Sequence, residues 1–371
     1  MMKRQDLIVI GGGPGGLVVA SVASQLGLRV TLIEKSDRLG GDCLHSGCVP
    51  SKTLINAARI AHTARQGAES GLLASMPRIV FDRAIDEVHR VIDQIQAVDD
   101  PERFRGYGCD VIFGAARFTG PHEIVVGEQT LRSRRFVIAS GSLPAIPPIP
   151  LLEQTGFETN ETIFRRRDLP EQLAVIGGGP IGVELSQAFS RLGSQVTLIE
   201  AADRLLINED EQTSNLIESA LAGEGINIIT AAQVGGVRRE GDYRQVALAD
   251  GRTVECNRIL IATGRRPAVH GLGLEEAGVT FSKRGIEVDR RLRTSQKHIY
   301  AVGDVCGPYQ FTHMAEYQAG IALDNIVFRS PKKTDYRVVP RVVYTDPEVA
   351  SVGMTVSEAD AAGIKYDIAE F

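Results

Sequence analysis

The sequence predicts an α/β fold built on two parallel-sheet domains. Residues 7–39 and 173–205 repeat one another at a constant offset of 166, without a gap and with 19 of 33 positions identical. Each copy holds an apolar run, a glycine-rich turn, and a second apolar run that ends in an acid, Glu34 or Glu200. The 371 residues suffice for two or three domains with substantial cores.

The apolar runs at 7–10 and 173–176 read as buried parallel strands, which lack the polar alternation of a half-exposed sheet. The turns that follow carry Gly11, Gly13 and Gly16, then Gly177, Gly179 and Gly182. In such a turn the first glycine permits the sharp reversal and the second lets backbone approach a pyrophosphate. The third lets helix and strand pack closely. The helix then aims its positive end at the phosphates. Second strands at 30–33 and 196–199 lead to Glu34 and Glu200, each 23 residues after the first glycine, near the spacing at which a carboxylate meets ribose hydroxyls. One glycine motif alone would be weak. Strand, turn, helix, strand and acid occurring twice predict two dinucleotide sites and electron transfer between two cofactors.

The remainder fits around this repeat. Residues 84–97 place Ile85, Val88, Val91, Ile92 and Ile95 at helical spacing. Short strand-like runs follow Gly106 and end at 136–139. The segment GSLPAIPPIP, with Pro144, Pro147, Pro148 and Pro150, excludes helix and marks a boundary. Strand-like runs at 259–262 and 299–302 lead to Thr263-Gly264 and Gly303-Asp304. The texture changes again near Tyr336.

Composition excludes several classes. Hydrophobic residues make up 43% and charged residues 23%, with a formal net charge of −5, as in an ordinary soluble protein. The arginine runs at 165–167 and 265–266 are too short to suggest nucleic acid and read as solvated or ligand-facing. No apolar run reaches the ~18–20 residues of a membrane span. No signal peptide is evident, so a cytoplasmic protein is expected. Five cysteines disfavour a disulfide scaffold, and Cys109, Cys256 and Cys306 read as packing residues. Cys43 and Cys48 differ, because they follow the first glycine motif in the run GGDCLHSGCVPSK. Such a pair can store two electrons as dithiol and disulfide. Two core cysteines or half a zinc site are the alternatives, and zinc would need two further ligands at matched spacing, which do not appear.

With these motifs together, the chain resembles the pyridine nucleotide–disulfide oxidoreductases of the lipoamide dehydrogenase, glutathione reductase and mercuric reductase type. GGDCLHSGCVPSK is the most specific element; the paired glycine motifs, ASGS, ATGRRP, AVGD and VVYTDPEVASVGMT support it. The resemblance implies two Rossmann-like FAD/NAD(P)-binding domains plus the start of an α+β dimerisation domain. The boundaries expected are 1–145 and 266–335 for FAD, 146–265 for NAD, and 336–371 for the incomplete third domain. FAD would meet Gly11, Gly13, Gly16, Glu34, Lys35, Gly41, Asp42, Lys52, Ala116, Ser140, Gly141, Asp304, Phe311, Thr312 and His313. NADH would meet Gly177, Gly179, Pro180, Ile181, Gly182, Glu184, Glu200, Val234 and Gly264. NADH is favoured over NADPH because Glu200 repels an added phosphate. Ala201 and Ala202 bring no cation there, and Arg204 is the one nearby base.

The resemblance also implies a mechanism. Electrons pass from NADH through flavin to a disulfide between Cys43 and Cys48. Cys48 is then the flavin-side thiolate and Cys43 the exchange thiol, with Lys52 beside the flavin paired to Glu184. The oxidised substrate is a small or protein-bound disulfide, or a metal ion as acceptor. No resident metal, nucleic acid or membrane span is implied, and a homodimer is expected of the full-length protein. An alternative is an NADH-dependent flavin diaphorase or quinone reductase in which the cysteines are secondary.

Two residues depart from the family's usual pattern. Asp42 replaces threonine, and its carboxylate would repel phosphate unless capped or turned away. His45 replaces asparagine between the cysteines, where an imidazolium could lower a thiol pKa or the ring could simply occupy a surface turn. The chain is expected to be a fragment, with 364–371 as one strand of an unfinished sheet.

Overall fold

The computed structural model describes residues 5–370 and divides into two compact units. The first comprises the residues up to Val49 together with Arg90–Leu143 and Arg265–Asp335. The second comprises Pro50–His89, Pro144–Gly264 and the residues from Tyr336 onward.

In the first unit the strand Leu7–Ile10 is central to a five-stranded parallel sheet. The order is Ile299–Ala301, Phe136–Ile138, Leu7–Ile10, Val30–Glu34, Cys109–Phe113. Side chains alternate along a strand, so the two faces can be assigned. Leu7 and Val9 pack toward the helices Pro14–Gln25 and Thr312–Val327, with Val19, Ala23, Ala319 and Ala322. Ile8 and Ile10 pack on the opposite side with Phe118 and Ile124, from an antiparallel sheet of Ala116–Gly120, Glu123–Val126 and Gln129–Arg132. The strand is apolar throughout because both faces are covered.

The second unit repeats this sandwich. Its parallel sheet runs Asn227–Ile229, Gln195–Ile199, Gln172–Ile176, Arg258–Ile261. Ala174, Ile176, Ile259 and Ile261 pack with Val237, Val246 and Leu248 of an antiparallel sheet formed by Val234–Glu240, Tyr243–Leu248 and Thr253–Cys256. The helix Pro180–Leu192 follows the glycine turn. The helix read at 84–97 spans Phe81–Gln96 and buries Ile85, Val88 and Ile92. Its first half groups with the second unit. Phe81 meets the Phe189 ring at 5.9 Å, and a nitrogen of His89 lies 3.1 Å from the Phe164 carbonyl.

From Tyr336 the chain adds a hairpin of Pro340–Val343 and Val349–Val352, then the helix Val356–Ala361, started by a capping box between Thr355 and Glu358. The strand expected at 364–371 does not form among the described residues; Phe371 lies outside them. A strand exists only when a neighbour takes its backbone hydrogen bonds. No described strand pairs with 364–370, and Ile364, Tyr366 and Ile368 are exposed.

The glycine turns explain why the duplicated motif is written as it is. A Cβ at Gly16 would lie 1.8 Å from the Gly11 carbonyl oxygen, and one at Gly182 would lie 1.8 Å from that of Gly177. At Gly179 a Cβ would meet nothing within 4 Å. Gly182→Ala is therefore expected to lower stability by several kcal/mol, roughly the upper range for a point mutant. Gly179→Ala should keep the melting temperature within a few degrees. Equal melting temperatures for the two variants would contradict the close-approach argument.

Candidate active site

The first glycine turn is held from behind by its acid. Buried Glu34 accepts the Gly12 N–H at 2.7 Å, and its other oxygen accepts both the N–H and the hydroxyl of Ser36 at 2.8 Å. Gly13 caps the helix Pro14–Gln25 in an extended conformation, with Pro14 at its first position, so the early N–H groups lack helical partners. Gly40 donates to the Gly12 carbonyl, and a Cβ on Gly41 would lie 2.6 Å from the Gly13 Cα. These contacts lay the helix Gly41–His45, with Asp42 and Cys43, against the dinucleotide turn. Lys35 is exposed, and Ala116 is buried opposite Val126.

Arg265 organises the acids of this unit. Its guanidinium lies 3.3 Å from Asp42 and 3.8 Å from Asp304, donates to the Ser142 hydroxyl at 2.7 Å, and is largely buried. Ser142 in turn donates to Asp304 at 2.5 Å. Burial raises the Asp304 carboxyl above its usual value and the Asp42 charge adds to this, while the Ser142 bond and Arg265 oppose it. The extra carboxylate at 42 is thus capped by a cation. Ser140 donates to the Ala268 carbonyl at 2.9 Å, and Gly141 accepts from Ala268 at 3.0 Å, tying this loop to the segment after Arg265.

The thiols meet across a tight turn. Cys43 sits in the short helix Gly41–His45 and Cys48 opens the helix Cys48–Glu69. A Cβ on Gly47 would lie 2.9 Å from the Asp42 carbonyl, so only glycine fits the link between them without a shift. The Cys43 thiol is pushed well above the ordinary cysteine value, first by its hydrogen bond to Cys48 and then by burial. The charge of Cys48 adds to the rise, and the Thr312 hydroxyl opposes it. The Cys48 sulfur lies 3.5 Å from the Thr312 hydroxyl, at the start of the helix Thr312–Val327. Cys48 is the more exposed of the two sulfurs. The Phe311 and His313 rings are stacked at 5.3 Å. His45, half-buried at the end of the helix Gly41–His45, sets its Nε2 2.8 Å from the Leu39 carbonyl oxygen. Cys109 and Cys256 are buried in the core, and burial pushes the Cys256 thiol up to about 11.

The second turn repeats the first. Gly179 is the extended cap, Pro180 and Ile181 begin the helix, and Glu200 accepts from the Gly178 and Ala202 N–H groups. Val234 is paired with Leu248 in the antiparallel sheet, and Gly264 accepts from Ala145. On the same helix Glu184 is almost fully buried and takes Lys52 Nζ at 2.7 Å on one oxygen. Its other oxygen accepts the Tyr344 N–H at 2.9 Å, and the Lys52 ammonium lies 4.6 Å from the Tyr344 ring centroid. Both carboxylate oxygens are satisfied, as a buried acid requires. Sequence reading assigned the pair Lys52 and Glu184 but gave Tyr344 no role. Nor did it link Arg265 to Asp42, since no local spacing connects them.

Two dinucleotide turns of one design, with an adjoining thiol pair, define a nucleotide-dependent thiol–disulfide oxidoreductase class. Residues 5–319 match the pyridine nucleotide-disulphide oxidoreductase family and residues 339–371 match its dimerisation domain. The chain belongs to that family, whose members use FAD with a pyridine nucleotide. It is 35% identical over 367 residues to a mercuric reductase of Lysinibacillus sphaericus, covering 98% of this chain and 67% of that protein. It is 38% identical over 383 residues to a dihydrolipoyl dehydrogenase of Thermus scotoductus, covering all of this chain and 80% of the relative. Among solved structures, a Cu(II) complex of the HOCl-induced flavoprotein disulfide reductase RclA from Escherichia coli superposes with a TM-score of 0.87 at 31% identity. That match covers 96% of this chain and 79% of the other. The chain spans about two thirds or less of the mercuric reductases it matches first, 67%, 66% and 57% of their lengths.

The residues present fit FAD at the first turn: an open cap at Gly13, a helix N-terminus, and a capped acid where a bare one would oppose phosphate. Arg265→Gln is expected to weaken flavin affinity at least roughly tenfold by leaving Asp42 and Asp304 uncapped. Adding Asp42→Thr should restore most of that loss, as read by flavin fluorescence on titration; a double variant as weak as the single would refute the capping role. In the reduced protein Cys48→Ser should lower the Cys43 pKa, because the interaction that raises it most is gone. The pH profile of iodoacetamide labelling at Cys43 then shifts to lower pH.

Proposed function

We propose that this chain takes two electrons from NADH and delivers them, by way of FAD, to a disulfide between Cys43 and Cys48, and on to a disulfide or a thiophilic metal ion. The observation that carries the reading is the hydrogen-bonded thiol pair with Cys48 against Thr312, in the unit that holds the first glycine turn. Bound FAD would supply a two-electron relay between nicotinamide and sulfur.

Everything else falls to the chain. Gly11, Gly13, Gly16 and the helix behind them receive a pyrophosphate, Glu34 receives the adenosine ribose, and Asp304 the ribitol. Two electrons and one proton entering the disulfide break the S–S bond and leave one thiol and one thiolate. The raised pKa of Cys43 supports Cys43 as the thiol, which leaves the negative charge on Cys48 beside Thr312. Cys43 must then lose its proton to attack a substrate, so the substrate side needs a proton acceptor. Lys52, held by Glu184, would supply a fixed cation to bound flavin.

Support for NADH comes from the second turn. Glu200 is anchored by two backbone N–H groups at the ribose position. Arg204, the one cation that could favour NADPH, is committed to the Glu209 and Ile207 carbonyls and the Ser214 hydroxyl. The dimerisation match supports a homodimer of the whole protein. No helix among the described residues is long and apolar enough to cross a membrane; a reducing cytoplasm suits a thiol couple.

Anaerobic titration with NADH tests the reading. A long-wavelength absorbance band should grow after two electrons, vanish in Cys48→Ser and persist in Cys43→Ser. A band unchanged in Cys48→Ser would defeat it, and diaphorase activity surviving Cys43→Ser/Cys48→Ser would favour the quinone-reductase alternative. NADH should exceed NADPH in kcat/KM by roughly tenfold or more, the effect of one uncompensated charge.

A further inference from the structure

We propose that the second unit carries a separate site for a small, multiply charged phosphate compound, in a cleft where Arg166, Arg239, Arg244 and Arg258 converge. The cleft has a volume of about 290 Å³. Phe157 adds apolar surface, and two carboxylates, Glu158 and Asp242, also face it.

Its place in the fold separates it from the dinucleotide turn. Arg258 begins the strand Arg258–Ile261 and pairs with Leu173, at the N-terminal end of the parallel sheet. The turn at 177–182 follows the C-terminal end of Gln172–Ile176. About four residues at ~3.3 Å each lie between them, so the two sites occupy opposite ends of the sheet.

The charges do not cancel. Arg166 is matched by Glu158 at 2.7 Å and by Asp168, and Asp168 also lies 3.3 Å from Arg258. Arg239 and Arg244 have no carboxylate partner among the described residues. Arg244 is half-buried and bonds only carbonyls, of Gly156 at 3.3 Å and of Asn257. Those bonds orient the fork without neutralising it. Burial, and then the nearby Arg258 and Arg239, push its guanidinium below the ordinary value. Arg239 is exposed at the rim, bonding only the Gly241 carbonyl at 3.1 Å. Planar forks without a carboxylate partner suit a phosphate or diphosphate, which guanidinium groups bind bidentately.

Calorimetric titration of the protein with inorganic pyrophosphate, and separately with ADP, tests this. The protein is loaded with FAD and NAD⁺ is kept saturating, so that both glycine turns are filled. Saturable binding that weakens with salt is expected. Tighter binding of ADP would assign a nucleotide, and tighter pyrophosphate a free polyphosphate; either supports the site. Arg239→Ser, at the exposed rim, should weaken binding roughly tenfold, about the worth of one charge-assisted hydrogen bond. Arg244→Lys should weaken it similarly while keeping the charge. Absence of saturable binding, or affinity unchanged in both variants, overturns the proposal.

Discussion

A helix can begin hard against its own strand only where no side chain intervenes. That steric constraint, met at Gly16 over Gly11 and again at Gly182 over Gly177, is the condition on which each unit depends. It sets the helix N-terminus at the end of the parallel sheet, where unpaired N–H groups gather. The acid at the end of the second strand then locks the turn from behind, in both copies through the glycine after the first. The geometry is made of backbone, so the two copies could diverge elsewhere. Both acids also accept the N–H two residues on, of Ser36 or Ala202, and only the first copy adds a hydroxyl bond, from Ser36.

The chemistry around the first turn is a matter of distributing charge in a poorly solvated space. Asp42 and Asp304 would oppose one another and any phosphate nearby. Arg265 joins them, and Ser142 bridges the guanidinium to Asp304. The thiols obey the same logic, since one negative charge on the pair makes removal of the second proton unfavourable. In the second unit Glu184 meets the requirement for a buried acid with two partners, one an ammonium and one a backbone amide. The Tyr344 ring against the ammonium draws the segment after Tyr336 into that arrangement.

Membership in the pyridine nucleotide-disulphide oxidoreductases accounts for the duplicated fold and the thiol pair together. The relatives' names point to different partners, a mercuric ion that is reduced and dihydrolipoyl groups that are dehydrogenated.

The duplicated units were legible in the amino-acid sequence because their signals are local. Apolar runs, glycines at fixed offsets and a terminal acid all lie within 33 residues, and the strands fell within a residue of their expected bounds. The helix at Phe81–Gln96 was legible for the same reason, through its 3.6-residue period. The segment 364–370 forms no strand because a strand needs a partner edge, and pairing is not a local property. The capping of Asp42 by Arg265 joins residues 223 positions apart, and the arginine cleft gathers side chains from separate segments of the second unit. Sequence alone determined which chemical groups the protein possesses and the local geometry of its turns. Only the tertiary structure decided which charges meet, because Coulomb and hydrogen-bond energies depend on distance in space rather than along the chain.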